Sequence, residues 1–195
     1  MRWDIRPGQA QTPGLYPETG RAYAAGRKGS ATETCMALEI ERKFLVRGSS
    51  MLDGLEGIRM VQGYAPSPTA TLRIRIAGSK AFLTVKGTSK GITRTEFEYP
   101  IPVADAEALL PLLCQGARVE KTRYRIDHGD HTWEVDVFHG ANEGLVLAEV
   151  ELEDESEQVE LPDWAGDEVS HDARYYSSNL ARNPFQRWGK PESVK

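Results

Sequence analysis

The sequence predicts an α+β fold: eight antiparallel strands, flanking helices and a C-terminal helix. Three observations predict it. Eight segments alternate polar and apolar side chains at the two-residue period of a strand. Short Gly-containing turns join several consecutive segments, as in hairpins. One stretch, 103–116, switches to a helical period.

The first strand is Leu-Glu-Ile-Glu-Arg-Lys-Phe-Leu-Val at 38–46. Its alternation puts Glu39, Glu41 and Lys43 on one face, and Leu38, Ile40 and Phe44 on the other. Two carboxylates one pleat apart repel unless a cation sits between them; Lys43 helps one end, and a divalent metal would hold both. After a loop or short helix at 48–57, the second strand runs over 58–65 and ends at Pro66-Ser67-Pro68.

Strands at 71–76 and 81–86 flank a turn in which Gly78 suits a type II′ hairpin. That register sets Arg75 opposite Phe82, Arg73 opposite Thr84 and Thr71 opposite Lys86. Arg73, Arg75 and Lys86 then share a face with no carboxylate among them, a destabilising arrangement for an idle surface. The fifth strand, 93–99, alternates Arg94, Glu96 and Glu98 with Thr95, Phe97 and Tyr99. The helix that follows has Asp105 near its start, Gly116 as its terminator, and Pro111 positioned to kink or divide it.

A second hairpin pairs 119–126 with 131–138. With His128-Gly129 as its turn, Arg123 faces Glu134 and Lys121 faces Asp136. The last strand, 145–153, repeats the opening pattern, with Glu149 and Glu151 on one face. Ser170 is placed to cap a helix over 171–181, with Asp172 in its first turn.

A chain of 195 residues supports one domain with a real core. A net charge of -5 argues against a generic nucleic-acid binder. No segment approaches the ~18 apolar residues of a membrane span. Cys35 and Cys114 form no CxxC pair, which suits a reducing compartment and gives no disulfide framework or thiolate metal site; a cytoplasmic monomer or homodimer is the expectation. Residues 1–35, rich in Gly, Pro, Ala, Thr and Arg, read as a disordered or mis-assigned extension; 36–183 read as the domain and 184–195 as a flexible tail.

The charged face has two readings. In one, the sheet packs its apolar face on helices and leaves the charged face in water. In the other, the sheet closes into a barrel around a charged, wet channel, where the charges must pair with each other, with water or with a ligand. The distribution favours the barrel. A solubilising surface intersperses signs, whereas here Glu-x-Glu stands at both ends of the domain, with Arg-x-Arg, Lys86 and Lys-x-Arg between. Carboxylate oxygens suit Mg²⁺ or Mn²⁺, and Arg with Lys suits a polyphosphate.

In order, Glu39-x-Glu41-x-Lys43, Arg73-x-Arg75, Lys86, Glu96, Lys121-x-Arg123, Glu134-x-Asp136 and Glu149-x-Glu151 resemble the pattern of the CYTH superfamily, also called triphosphate tunnel metalloenzymes. The resemblance runs from about Met36 to Ala181. It is closest to small bacterial members, which share Gln62-Gly63-Tyr64 and Glu120-Lys121-Thr122-Arg123-Tyr124. It implies an eight-stranded tunnel that binds a small-molecule triphosphate and Mg²⁺ or Mn²⁺, with no nucleic-acid or membrane partner. The resemblance further implies that Glu39, Glu41, Glu149 and Glu151 are metal ligands supported by Glu134 or Asp136. Lys43, Arg73, Arg75, Lys86 and Arg123 would hold phosphate oxygens. Tyr64 and Lys121 match a pair that activates the attacking water, where a Tyr beside a cation could have a lowered pKa; the plain reading is that Tyr64 packs and Lys121 pairs with Asp136.

The implied activity is metal-dependent hydrolysis of a linear triphosphate, with inorganic tripolyphosphate favoured. Thiamine triphosphatase, class IV adenylate cyclase and a non-catalytic polyphosphate-binding module are the alternatives. Relatives carry Tyr-x-Asn in the C-terminal helix, where this chain has Tyr175-Tyr176-Ser177-Ser178. The histidines form no zinc set, and no P-loop or nucleophile elbow is present. Met36, directly before the first strand, is the expected translation start; an intact mass of the native protein that retains Met1 would overturn this.

Overall fold

Each alternating segment is a strand in the computed structural model, which describes residues 38–65, 67, 69–88, 90–114 and 118–189. The expectations for residues 1–35, the Met36 start, the prolines at 66 and 68 and the Gly116 terminator lie outside these residues. The strands are β1 (Leu38–Val46), β2 (Ile58–Ala65), β3 (Thr71–Ala77), β4 (Lys80–Lys86), β5 (Thr93–Ile101), β6 (Val119–His128), β7 (His131–His139) and β8 (Val146–Glu151). A short β9 (Ala165–Glu168) was not expected. The helices are α1 (Val103–Leu113) and α2 (Ser177–Leu180).

The order β5-β4-β3-β2-β6-β7-β8-β1 closes on itself through a β1–β5 pairing, so the sheet is a barrel rather than a half-solvated layer. Closure rests on the first residues of β1, with Leu38 opposite Thr95, Glu39 opposite Arg94 and Ile40 opposite Thr93. Farther along, the same edge of β1 takes β9, while β8 runs along its other edge. The pairing is not one continuous meander: β2 pairs with β6, and β1 bridges β5 and β8.

Closure turns the charged face inwards and the apolar face outwards. Outside, Phe44, Trp133, Val135, Ala148 and Val150 are buried beneath a cover that includes Trp164. Trp133 stacks against Phe44 and edge-on against Trp164, each with ring centroids 5.4 Å apart. On another side, α1 lays Ala106 and Leu110 over Ile74 and Ala81. Gly63 permits this approach: a Cβ there would lie 2.6 Å from Cys114 Sγ and 3.0 Å from a Leu110 methyl.

The inner face becomes apolar towards one end. Val119, Phe138, Leu145 and Leu147 pack there with Val169, Leu180 and Ala181, and Leu45, Tyr64, Tyr175, Phe185 and Trp188 join them. Trp188 meets Tyr175 and Phe185 with ring centroids 5.1 Å apart in each case. The C-terminal segment therefore covers one end of the barrel.

Three expectations change. The first hairpin has the expected register, but the second turns at Gly129-Asp130, placing Arg123 opposite Asp136 and Arg125 opposite Glu134. His128 pairs with His131, so Gly129 is the first turn residue, and its φ of 58° lies in the left-handed region that glycine adopts without strain. The shift is two residues, which preserves every side chain's face. α1 runs undivided through Pro111, which lies in its last turn. The C-terminal helix is shorter than expected. Asp172, not Ser170, caps a 3-10 turn at Ala173–Tyr175 ahead of α2. Ser170 is engaged elsewhere, accepting from the Lys43 amide at 2.9 Å and donating to Glu168 at 2.6 Å.

Phe44 joins β1 to the outer core. Phe44→Ala is expected to cost about 3–5 kcal/mol of stability, read from urea unfolding midpoints at unchanged slope; a loss below about 1 kcal/mol would refute its central place.

Candidate active site

Because paired residues in a sheet share a face, the observed registers assign the barrel lining strand by strand. β1 brings Glu39, Glu41 and Lys43, and β8 sets Glu149 opposite Lys43 and Glu151 opposite Glu41. β2 brings Gln62 opposite Arg75 and Tyr64 opposite Arg73. β4 sets Thr84 beside Glu98 and Lys86 beside Glu96 on β5. β6 and β7 add Lys121, Arg123, Glu134 and Asp136.

The lining holds itself together in three linked groups. Around β1, Lys43 Nζ donates to Glu41 at 2.8 Å and Glu149 at 2.6 Å. Arg94 forks across the two carboxylates of β1, Nε to Glu39 at 2.6 Å and a terminal nitrogen to Glu41 at 2.8 Å. Lys86 reaches Glu39 at 3.2 Å and also pairs with Glu96.

Around β3, Arg73 and Arg75 donate to the same Glu98 oxygen at 2.9 and 2.7 Å, and Thr84 donates to it at 3.0 Å. Around β6, Arg123 grips Asp136 through Nε at 2.7 Å and a terminal nitrogen at 2.6 Å, and donates to Glu149 at 2.9 Å. Arg123 also pairs with Glu134. Lys121 pairs with the same Asp136, which is 0% exposed.

Burial and these partners set the protonation states. Burial works against the Lys43 charge, but Glu149 and Glu41 overcome it and raise its pKa. Burial also opposes ionisation of Glu149, which Lys43, Arg123 and Lys121 nevertheless hold well below the usual carboxylate range. Burial lowers Arg75 to about 10, helped by Arg73. Lys121 drops to about 8, because burial and Arg123 outweigh Asp136.

Tyr64 departs from expectation. Burial raises its phenol pKa, and the opposing charges of Arg73 and Arg75 do not reverse this. Its oxygen accepts from Gln62 Nε2 at 2.7 Å, and Ser177 of α2 is a further hydrogen-bond partner.

All the residues singled out from the sequence lie on the lining strands, although Glu151 sits at an exposed strand end. Arg94, Glu98, Thr84 and Gln62 were not assigned roles from the sequence. The Arg94-x-Glu96-x-Glu98 alternation was a usable signal for two of them. Several buried polar atoms have no protein partner: Arg73 Nε, Arg75 Nε and Gln62 Oε1.

The CYTH domain model matches residues 37–181. The chain belongs to the CYTH family. Among its CYTH relatives, the inorganic triphosphatase of Acetivibrio thermocellus is 46% identical over 154 residues, spanning 78% of this chain and 99% of that protein. The inorganic triphosphatase of Nitrosomonas europaea is 42% identical over 150 residues, spanning 73% and 96%. A crystal structure of an inorganic triphosphatase superposes with a TM-score of 0.55 at 40% identity, covering 73% of this chain and 93% of that one.

The family implies a divalent metal. Among the described residues, no three His, Cys, Asp or Glu side chains form a ready-made cage. The donors fit a sparser site: Glu39 and Glu41 on β1, with Glu151 opposite Glu41, offer hard oxygens on adjacent strands. Mg²⁺ takes one or two carboxylates and completes its shell with water and phosphate oxygens. Among the described residues, no helix is long and apolar enough to cross a membrane.

Burial works to raise Glu96, but the charges of Lys86 and Arg73 hold it at about 2, below the usual 4.5. A depressed carboxylate stabilises the fold above its unfolded pKa, and that contribution is lost as pH falls through the folded value. The wild type is therefore expected to lose about 3 kcal/mol between pH 4.5 and 2 through this residue. Glu96→Gln should flatten that limb in urea titrations across the window; an unchanged limb would refute the assignment.

Proposed function

We propose that this chain is a metal-dependent inorganic triphosphatase whose barrel interior clamps linear tripolyphosphate. The observation that carries the reading is the pair of buried guanidinium groups on β3, whose Nε atoms lack a protein partner while their other ends are anchored on Glu98. Buried donors held this way are preorganised for a polyanion. The names of the relatives support the choice of inorganic triphosphate.

In this reading Lys43, Arg73, Arg75, Lys86 and Arg123 hold phosphate oxygens. Glu39, Glu41, Glu149 and Glu151 would hold Mg²⁺ or Mn²⁺, with Glu134 or Asp136 supporting them. When bound, the metal supplies charge neutralisation at the phosphoryl group. Water attacks the terminal phosphorus in line, the bridging P–O bond breaks, and pyrophosphate leaves along the arginine clamp.

The water's proton goes to the neutral amine of Lys121, whose lowered pKa of about 8 makes it a workable base. Tyr64, with its raised pKa, keeps its proton and orients the water through its hydroxyl. Asp136 fixes Lys121 in place.

Phosphate release is expected from tripolyphosphate with Mg²⁺ or Mn²⁺, well above release from ATP or thiamine triphosphate. Glu41→Gln should lower kcat/KM by about 100-fold or more. kcat should rise as pH passes through about 8 and Lys121 loses its proton, a limb that Lys121→Arg removes. Tight tripolyphosphate binding without release would leave a binding module, and cyclic AMP as the main product from ATP would make the chain a cyclase. Tyr64→Phe with an unchanged rate would remove Tyr64 from the reaction.

A further inference from the structure

Arg94 has no part in the mechanism above, yet it makes the most direct contact with the carboxylates of β1. Strand pairing puts its Cα opposite that of Glu39. Its guanidinium spans both side chains, at 2.6 Å to Glu39 and 2.8 Å to Glu41. One planar cation thus ties together two carboxylates that would otherwise repel across a single pleat. A divalent ion has the same task at the same oxygens.

Lys43 and Lys86 also touch these carboxylates, but each is shared with a second acid, Glu149 and Glu96 respectively. Arg94 lies 3.9 Å from Glu96, a looser contact than its two to Glu39 and Glu41. Its side chain is 18% exposed, against 7% for Lys43 and 9% for Lys86. It is therefore the cation of this group with the most room to move.

We infer that Arg94 is a resident counter-ion for Glu39 and Glu41, displaced when a divalent metal binds and thereby released to bind the polyphosphate. The inference rests on the metal-dependent reading of the site. While Arg94 bridges the two acids, its forked donors are spent on them and the repulsion between them is quenched. The metal takes over that neutralisation, and the guanidinium is left with donors suited to two phosphate oxygens. Metal and polyphosphate then favour each other by more than their direct attraction, because each gains from the same displacement.

The test measures Mn²⁺ binding to the full chain by electron paramagnetic resonance, and binding of the non-hydrolysable bis(methylene) analogue of triphosphate by calorimetry. In the absence of polyanion, Arg94→Gln is expected to bind Mn²⁺ about tenfold more tightly than wild type. Arg94→Lys, which keeps the charge and loses the fork, should fall between them. With Mn²⁺ present, Arg94→Gln should bind the triphosphate analogue more weakly than wild type. That loss should exceed the metal-free loss by about fivefold.

Mn²⁺ affinity that is unchanged or weaker in both variants would overturn the inference, as would equal losses of analogue affinity with and without metal. Failure of wild type and variants alike to bind Mn²⁺ would overturn the metal-dependent reading and this inference together. Circular dichroism checks that each variant is folded, and Arg94→Lys carries the comparison if Arg94→Gln is not.

Discussion

An ionised side chain facing into a closed strand barrel has to be met by an opposite charge, and the interior of this protein follows from that requirement. Leaving one such group unpaired costs several kcal/mol. Barrel closure and charge pairing are here the same event. The short β1–β5 pairing that completes the ring sets Glu39 opposite Arg94, and the guanidinium then carries on to Glu41. An open sheet would leave the β1 carboxylates without that partner.

The same requirement explains why signs are segregated along the sequence and mixed in space. Glu-x-Glu on β1 and β8 would be a repulsive wall by itself. Lys43 stands between the two strands and bonds an acid on each. Glu98 does the reverse for β3, where one carboxylate oxygen receives both arginines. The charged strands of the ring thus borrow their neutralisation from one another.

Much of this was legible in the sequence, because a strand's period is two and a register error of two residues leaves its faces intact. That is why the second hairpin could be misread by one turn position while Lys121, Arg123, Glu134 and Asp136 were still assigned to one face. The first hairpin was read correctly because Gly78 occupies the same first turn position that Gly129 was denied in the sequence reading. What failed was information held by tertiary contacts. Ser170 looks like a helix cap until β1 claims its hydroxyl. Tyr64 looks activated by neighbouring cations until its burial is known. Closure itself is carried by only the first residues of β1, too short a pairing to leave a pattern.

The lining changes character along its length, and Lys121 sits at the change. Lys121 and Tyr64 stand where the charged interior gives way to the apolar packing of Val119, Phe138 and the C-terminal segment. Phe138 lies under the Lys121 ammonium at 5.7 Å. That contact favours the ammonium, so the drop to about 8 comes from burial and from the neighbouring Arg123 charge. The carboxylates of the proposed metal site stand on β1 and β8, and Glu149 is tied to this end of the lining by Arg123, which also bonds Asp136 beside Lys121. In the proposed reading Arg123 thus links the base to the carboxylates, so that the terminal phosphoryl group would meet both.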